Sequence, residues 1–214
     1  MVLTWYGQSC FKITSGDLTI AIDPFSKEIG LTPPRFRADI LLVSHDHHDH
    51  ANVETMPEGA LIIRGPGDYE IKGVCVRGIE TFHDRVQGKE RGLNTAYLIE
   101  TEDMRILHLG DFGEKELRAE TAEDIGNVDV LLIPVGGSYT IDGEEASRII
   151  KQIEPRFVVP MHYKIPGLKI KLEDAETFLK EMGATKVAAQ EKLVVKKKDV
   201  KEEEKTEVVI LKIA

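Results

Sequence analysis

Residues 39 to 50 read DILLVSHDHHDH. An apolar run, Ile40 to Val43, passes straight into a segment that holds four of the chain's seven histidines and two carboxylates. The apolar half has the length and branching of a buried β-strand. An exposed polar loop would account for one histidine after such a strand, but not for His45, His47, His48 and His50 together. Imidazole and carboxylate are the donors that suit zinc, manganese or iron. If the chain stays extended past Val43, His45 and His47 project to one side, because strand side chains alternate. Asp49 and His50 are consecutive and would then point elsewhere, which is easier to reconcile with a second metal nearby than with one crowded ion.

Working outward, similar polar residues close other strand-like runs. His83 lies in TFHD, His108 and Asp111 in ILHLGDFG, and His162 in VVPMHY. A lone histidine is ordinarily a surface or packing residue. Its position after a buried run changes that weighting, because α/β sheets gather ligands at the carboxyl ends of their strands.

The first half of the chain is rich in short apolar or alternating runs bounded by Gly, Pro, Asp or Asn, from VLTWY to RILHL, which predict meandering sheets. In the second half, DVLLIPV and RFVVP read as buried strands around a helix, DGEEASRIIKQIE. Asp142 and Glu145 form a capping-box pattern there, and Ala146, Ile149, Ile150 and Ile153 share one face. A second helix is expected in LEDAETFLKEMG, with Leu172, Ala175, Phe178, Leu179 and Met182 on one side and a stop at Gly183. The charged tract at 196–205 reads as a solvated loop between two terminal strands, KLVV and EVVILKI. No repeat or linker divides the chain, so residues 1–214 are expected to form a single domain.

Composition narrows the function classes. With 214 residues, 42% hydrophobic and 30% charged, the chain can bury a sizeable core, and no run reaches the roughly 18 apolar residues of a membrane span. The start, MVLTWYGQSC, has neither a basic leader nor a secretory apolar run, so a cytoplasmic location is expected. Cys10 and Cys75 are read as buried, reduced, inert thiols. A net charge of -9 argues against a broad nucleic-acid surface and leaves room for a local basic pocket.

His45-Asp46-His47-His48-Asp49-His50 matches the His-x-His-x-Asp-His motif of the metallo-β-lactamase-fold hydrolases, and Asp23 (in AIDPF), His83, Asp111 and His162 follow in that superfamily's order. The resemblance covers about residues 1 to 165. WYGQSCFKI, GPGDYEIKG, GLNTAYLIE and IPVGGSYT are most similar to its compact bacterial and archaeal branch, which includes ascorbate-phosphate lactonase-like proteins. The resemblance implies an α/β (α+β) fold, a four-layer αββα sandwich with metals in a cleft at one edge. It implies two divalent ions, zinc first with manganese or iron as alternatives. His45, His47 and His83 would hold one, Asp49, His50 and His162 the other; Asp111 would bridge them, and Asp23 would orient the cluster loop. His48 has no ligand role and is left to face solvent or substrate.

Two metals sharing a carboxylate can supply a bridging hydroxide near neutral pH. The expected activity is hydrolysis of a small lactone, ester, amide or phosphoester, with Asp49 and Asp111 as the catalytic carboxylates. Phosphodiester cleavage in RNA or nucleotides, or metal-containing binding without catalysis, are the alternatives. Lys164, Tyr163 and Tyr139 are candidate substrate contacts, with Lys164 as a phosphate-steadying charge and packing the preferred reading of Tyr139. Turn chemistry accounts for Arg91 and Asn94, with substrate contact as the lesser alternative for both, and strand packing competes with a site role for His108. The partner is a small molecule; no membrane is involved, and self-association is left open.

Overall fold

The computed structural model describes residues 1–200 and 205–214. Two mixed sheets face one another. The first contains β1 (Val2–Gly7), β2 (Cys10–Ser15), β3 (Leu18–Ile22), β4 (Ile40–Val43) and β5 (Leu61–Arg64) in chain order, with β12 (Leu193–Val194) beside β1. The second runs β6 (Gly67–Ile71), β7 (Val74–Phe82), β8 (Leu93–Thr101), β9 (Met104–His108), β10 (Val130–Pro134) and β11 (Phe157–Met161), with β13 (Glu207–Val208) outside β11.

The meander expected of the first half exists in β1–β3 and in β6–β9, which are antiparallel. It fails at β3, β4 and β5, which pair in parallel, Ile20 against Ile40 and Ile40 against Leu61. Parallel neighbours need crossovers, so their carboxyl ends emerge on the same side. Strands β9, β10 and β11 are parallel as well. Asp23, Ser44 and His162 therefore all follow directly on parallel strands.

Side-chain alternation fills the space between the sheets. Leu3, Trp5, Phe11, Ile13, Ile20, Ile22, Ile40 and Leu42 meet Val76, Tyr97, Ile99, Ile106, Leu132 and Val159. The alternate residues of the second sheet, among them Leu107, Leu131, Ile133 and Val158, pack under α1 (Ala119–Ile125), α2 (Gly143–Ile153) and α3 (Glu176–Glu181). Helices over one face and a sheet over the other explain why β10 and β11 are apolar at every position. On the far side of the first sheet, Ala21 and Leu41 are covered by Ala38, Met56, Phe36 and Val53, from irregular chain and the 3-10 turn Val53–Thr55. This outer layer contains no α-helix among the described residues.

Helix α2 matches its sequence pattern. The Asp142 carboxylate accepts from Glu145 N–H at 2.9 Å, the Glu145 carboxylate accepts from Asp142 N–H at 3.2 Å, and Ala146, Ile149, Ile150 and Ile153 are buried. The second helix is shorter than the apolar pattern from 172 predicts. Glu173 donates its N–H to Gly136 and accepts from Lys164, which holds residues 172–175 out of the helix. Phe178 is still fully buried and Gly183 takes the left-handed conformation (φ +63°) of a helix stop. Cys10 is buried but Cys75 is exposed, a correction to the reading of both as core thiols. Cys75 sits outward on β7, between Glu70 of β6 and Glu100 of β8. Lys197–Asp199 form a 3-10 turn, and residues 201–204 of the charged tract lie outside the described residues. No helix among the described residues is long and apolar enough to cross a membrane.

Ile106 is fully buried between the sheets, so Ile106→Ala should cost about 2–5 kcal/mol in urea unfolding, whereas Val194→Ala, half exposed, should cost under about 0.5. Equal losses at the two positions would contradict this placement of the core.

Candidate metal centre

The segment after β4 does not stay extended, as the alternation argument for His45 and His47 supposed. It folds into a turn in which His50 and Ala51 both donate their N–H to the His47 carbonyl, each at 3.0 Å. The turn brings together Asp49 and His50, which an extended chain would point apart, while His45 and His47 share a side in either case. His45 Nε2 lies 3.0 Å from His47 Nδ1, and His50 Nε2 lies 3.3 Å from Asp49 Oδ2.

Asp23 holds both ends of this turn. Its Oδ1 accepts from Ser44 N–H at 2.8 Å, and its Oδ2 accepts from Ser44 Oγ at 2.7 Å and from His50 Nδ1–H at 2.9 Å. Asp23 is fully buried. Burial alone would raise its pKa, but the hydrogen bond and charge of His50 outweigh burial and hold it below the usual carboxylate range.

Three residues from the second sheet complete the cluster. Asp111 Oδ2 is 3.2 Å from His83 Nε2 and 3.3 Å from His162 Nε2, while Oδ1 is 3.3 Å from His50 Nε2. Asn94 sets the position of Asp111. Its Oδ1 accepts the Asp111 N–H at 2.9 Å, and its Nδ2 donates to Thr81 Oγ1 at 2.7 Å and to the Leu109 carbonyl at 2.9 Å. Between them Gly110 adopts φ +57°, where a Cβ would fall 2.4 Å from Asn94 Oδ1 and 2.8 Å from Ser44 Cβ. Only glycine lets the two sheets approach this closely here.

Gln8 links the cluster from a third direction. Its Nε2 donates to Asp49 Oδ2 at 2.9 Å, and its carbonyl accepts from Trp5 Nε1–H at 2.9 Å and from His162 N–H at 3.1 Å. Gln8, Asp23 and His162 each sit just beyond a strand with φ near +50°. This conformation is uncommon outside glycine, and its concentration at strand ends around one cluster marks strain held by the surrounding structure.

Burial pushes His45 down to about 3 and also lowers His47. For His50, burial acts in the same direction, but the Asp111 and Asp49 carboxylates beside it prevail and hold the imidazolium well above its ordinary range. Burial likewise opposes ionisation of Asp49 and Asp111. The neighbouring imidazoles, His50 for Asp49 and His162 with His50 for Asp111, hold both carboxyls low.

All seven residues of the ligand pattern thus meet in one place, as three overlapping groups: His45 with His47 and His83, His45 with His50 and Asp111, and Asp49 with His50 and His162. Within each group the donor atoms lie within 4.8 Å of one another. A cleft of about 620 Å³ opens on five of them, His47, Asp49, His83, Asp111 and His162, and on the exposed His48. His108 is outside. Its Nε2–H donates to the Ser9 carbonyl and its Nδ1 accepts from Gly110 N–H, a neutral packing histidine in the core. Tyr163 stacks on Trp5 at 5.3 Å, and Lys164 is not part of the cleft wall. The walls are instead Arg91, Tyr139, Lys169, Ile170 and Lys171. Tyr139 therefore lies at the site despite the packing reading preferred for it. Gln8, Lys169 and Lys171 carry no signal in the sequence that separates them from surface or turn residues, and Asn94 is a buried strand residue, not a turn former.

A sandwich of two mixed sheets with this cluster at one edge is the arrangement of the β-lactamase superfamily, and the chain belongs to it: residues 2–162 match the Beta-lactamase superfamily domain. A UPF0173 metal-dependent hydrolase from Thermococcus onnurineus is 32% identical over 187 residues, 73% of this chain and 82% of the relative. A second, from Methanoculleus marisnigri, is 30% identical over 88% of this chain and 92% of its own. Among solved structures, a Thermotoga maritima protein described as a candidate zinc-dependent hydrolase of the metallo-beta-lactamase superfamily superposes with a TM-score of 0.78. It is 33% identical, with 99% of both chains covered. The protein is a metal-dependent hydrolase of this superfamily.

Asp23→Ala would leave the Ser44 N–H and a charged His50 without an acceptor and the Ser44 hydroxyl with His45 alone. We expect a loss of about 3–5 kcal/mol in urea unfolding of metal-free protein. A loss below about 1 kcal/mol would mean that the turn is held by other means.

Proposed function

We propose that His45, His47 and His83 hold one divalent cation, that Asp49, His50 and His162 hold a second, and that Asp111 lies between them. The observation that carries this reading is a buried convergence of five imidazoles and two carboxylates whose polar atoms are not satisfied by one another. Asp111 Oδ1 and His50 Nε2, 3.3 Å apart within the cluster, are both buried without a completed hydrogen bond. Such groups are costly unless something else binds them. The donor set fits zinc, and the same atoms accept manganese or iron. Asp23 on His50 Nδ1 is the outer partner that fixes a ligating ring, as metal sites commonly require.

When bound, such cations acidify water into a nucleophile near neutral pH and polarise the scissile carbonyl or phosphoryl group. The chain supplies the rest. The cleft fits a metabolite-sized ester, lactone, amide or phosphoester, within the usual range for small-molecule sites. Asp49 faces the cleft with its Oδ2 tied to Gln8, and we assign to it the proton taken from the attacking water and returned to the leaving group. Asp111, held by Asn94, fixes the spacing of the two ligand groups. Cys10 and Cys75 are free thiols, in keeping with a reducing, cytoplasmic setting.

Turnover should appear on a lactone and ester panel, vanish after chelation, return with zinc or manganese, and fall to background in His83→Ala and Asp111→Asn. Activity that survives complete metal removal would refute the reading, and exclusive turnover of bis-p-nitrophenyl phosphate would move the substrate class to phosphodiesters. Metal uptake should also release protons. His50 holds its proton above the ordinary histidine range in the metal-free protein and must lose it to ligate, so affinity rises with pH toward that raised value. Calorimetry at pH 7 in buffers of different ionisation heat should show net proton release; none would contradict the role of His50.

A further inference from the structure

Gln8 sits in the turn between β1 and β2 and is fully buried. It touches two of the three residues proposed for the second cation. Its Nε2 donates to Asp49 Oδ2 at 2.9 Å, and its carbonyl accepts the His162 N–H at 3.1 Å. The third of those residues, His50, is held by Asp23. No hydrogen bond among the described residues joins Gln8 to His45, His47 or His83, the residues proposed for the first cation.

The turn delivers Gln8 at a conformational cost. Pairing of β1 with β2 shifts register after Trp5, so that Gly7 faces Cys10, and Gln8 then takes φ +50°, a region unfavourable to a residue with a Cβ. Three hydrogen bonds from the body of the protein hold it there. Trp5 Nε1–H and the His162 N–H both donate to the Gln8 carbonyl, and the buried His108 donates its Nε2–H to the Ser9 carbonyl at 2.9 Å. The side chain carries a second cost. A ligating carboxylate only accepts, so the amide nitrogen must face Asp49, and Oε1 is then buried without a partner. A methionine of similar length would avoid that unmet acceptor. Packing therefore does not account for an amide at this position, whereas its bond to Asp49 does.

We propose that Gln8 is a positioning residue for the second cation alone: its amide fixes the Asp49 carboxylate and its carbonyl fixes the His162 backbone, while the ion at His45, His47 and His83 is independent of it. The proposal rests on the two-cation reading of the site. Partners that orient a ligand from behind are worth roughly 10- to 100-fold in metal affinity, and here that contribution falls on one ion of the pair.

Zinc affinity, measured by competition with a chromophoric chelator, tests this in two backgrounds that each keep one site. His47→Ala/His83→Ala retains the second site, and Asp49→Ala/His162→Ala retains the first. Gln8→Asn and Gln8→Met are introduced into each. Asparagine accepts the left-handed backbone readily, so the fold should tolerate it, but its shorter side chain withdraws the amide from Asp49. Methionine keeps the reach and loses the donor. Both variants should weaken zinc roughly 10- to 100-fold in the first background and change it by less than about threefold in the second. In the otherwise unchanged chain, native mass spectrometry should find one ion on each variant at a chelator concentration that leaves two on the wild type. Unchanged affinity in the first background, an equal loss in both, or two ions retained by the variants would overturn the positioning role and leave the two-cation reading intact; an equal loss is also what a merely loosened fold would give. A wild type that takes up fewer than two zinc ions defeats the two-cation reading itself, and this proposal with it.

Discussion

Asp23 sits fully buried after β3, and its two carboxylate oxygens take the Ser44 N–H, the Ser44 hydroxyl and the His50 ring. Those contacts fix the first and last residues of the histidine-rich turn to the end of a neighbouring parallel strand. Everything that makes the cluster a site depends on this. Without the carboxylate, His50 would lose the partner that orients its ring, and the turn would lose the anchor that lets His45, His47 and Asp49 face inward. Burying an anion is expensive, and it is tolerated here because every bond it makes is charge-assisted or drawn from an otherwise unpaired backbone group.

The two sheets are joined at this edge by polar groups, whereas apolar packing joins them elsewhere. Tyr97 of β8 donates its hydroxyl to the Val43 carbonyl at 2.8 Å, just before the turn, and Gln8 reaches from β1 to Asp49 and to the His162 backbone. Asn94 carries the Asp111 backbone in the same way from within the second sheet. Gln8 holds the Asp49 side chain itself, whereas Tyr97 and Asn94 hold the backbone just before the turn and at Asp111, each at a different strand end. A rigid sandwich with several strand ends converging at one edge is well suited to place groups far apart in sequence within hydrogen-bond distance of one another.

The parts legible in the sequence were those governed by short-range rules. Ile40–Val43 reads as a strand and Gly143–Ile153 as a capped helix because periodicity and capping are local. The ligand pattern of His45, His47, Asp49 and His50 is also local, and the resemblance in motif order, not strand-end position alone, separates His83, Asp111 and His162 from His108. What the sequence did not disclose depends on tertiary neighbours. Gln8 looks like any turn residue until β1 is set beside the cluster, and Lys169 and Lys171 look like surface lysines until their loop folds against Ile29. Lys164 stands close to His162 in sequence, yet it is not part of the cleft wall. The helix expected from Leu172 loses its first turn to backbone pairing with Gly136 and Lys164, a competition that no propensity scale contains. Asp49 and His50 converge because the loop turns, which an argument from strand alternation could not foresee.

The central claim is that one polar edge between two sheets forms two adjoining cation sites with Asp111 between them. Native mass spectrometry of zinc-reconstituted protein tests it most directly, comparing the wild type with the double variant His47→Ala/His83→Ala. The account predicts two ions per chain in the wild type and one in the variant, because Asp49, His50 and His162 remain in place. A wild type that takes up a single ion or none, or a variant that still binds two, would contradict it.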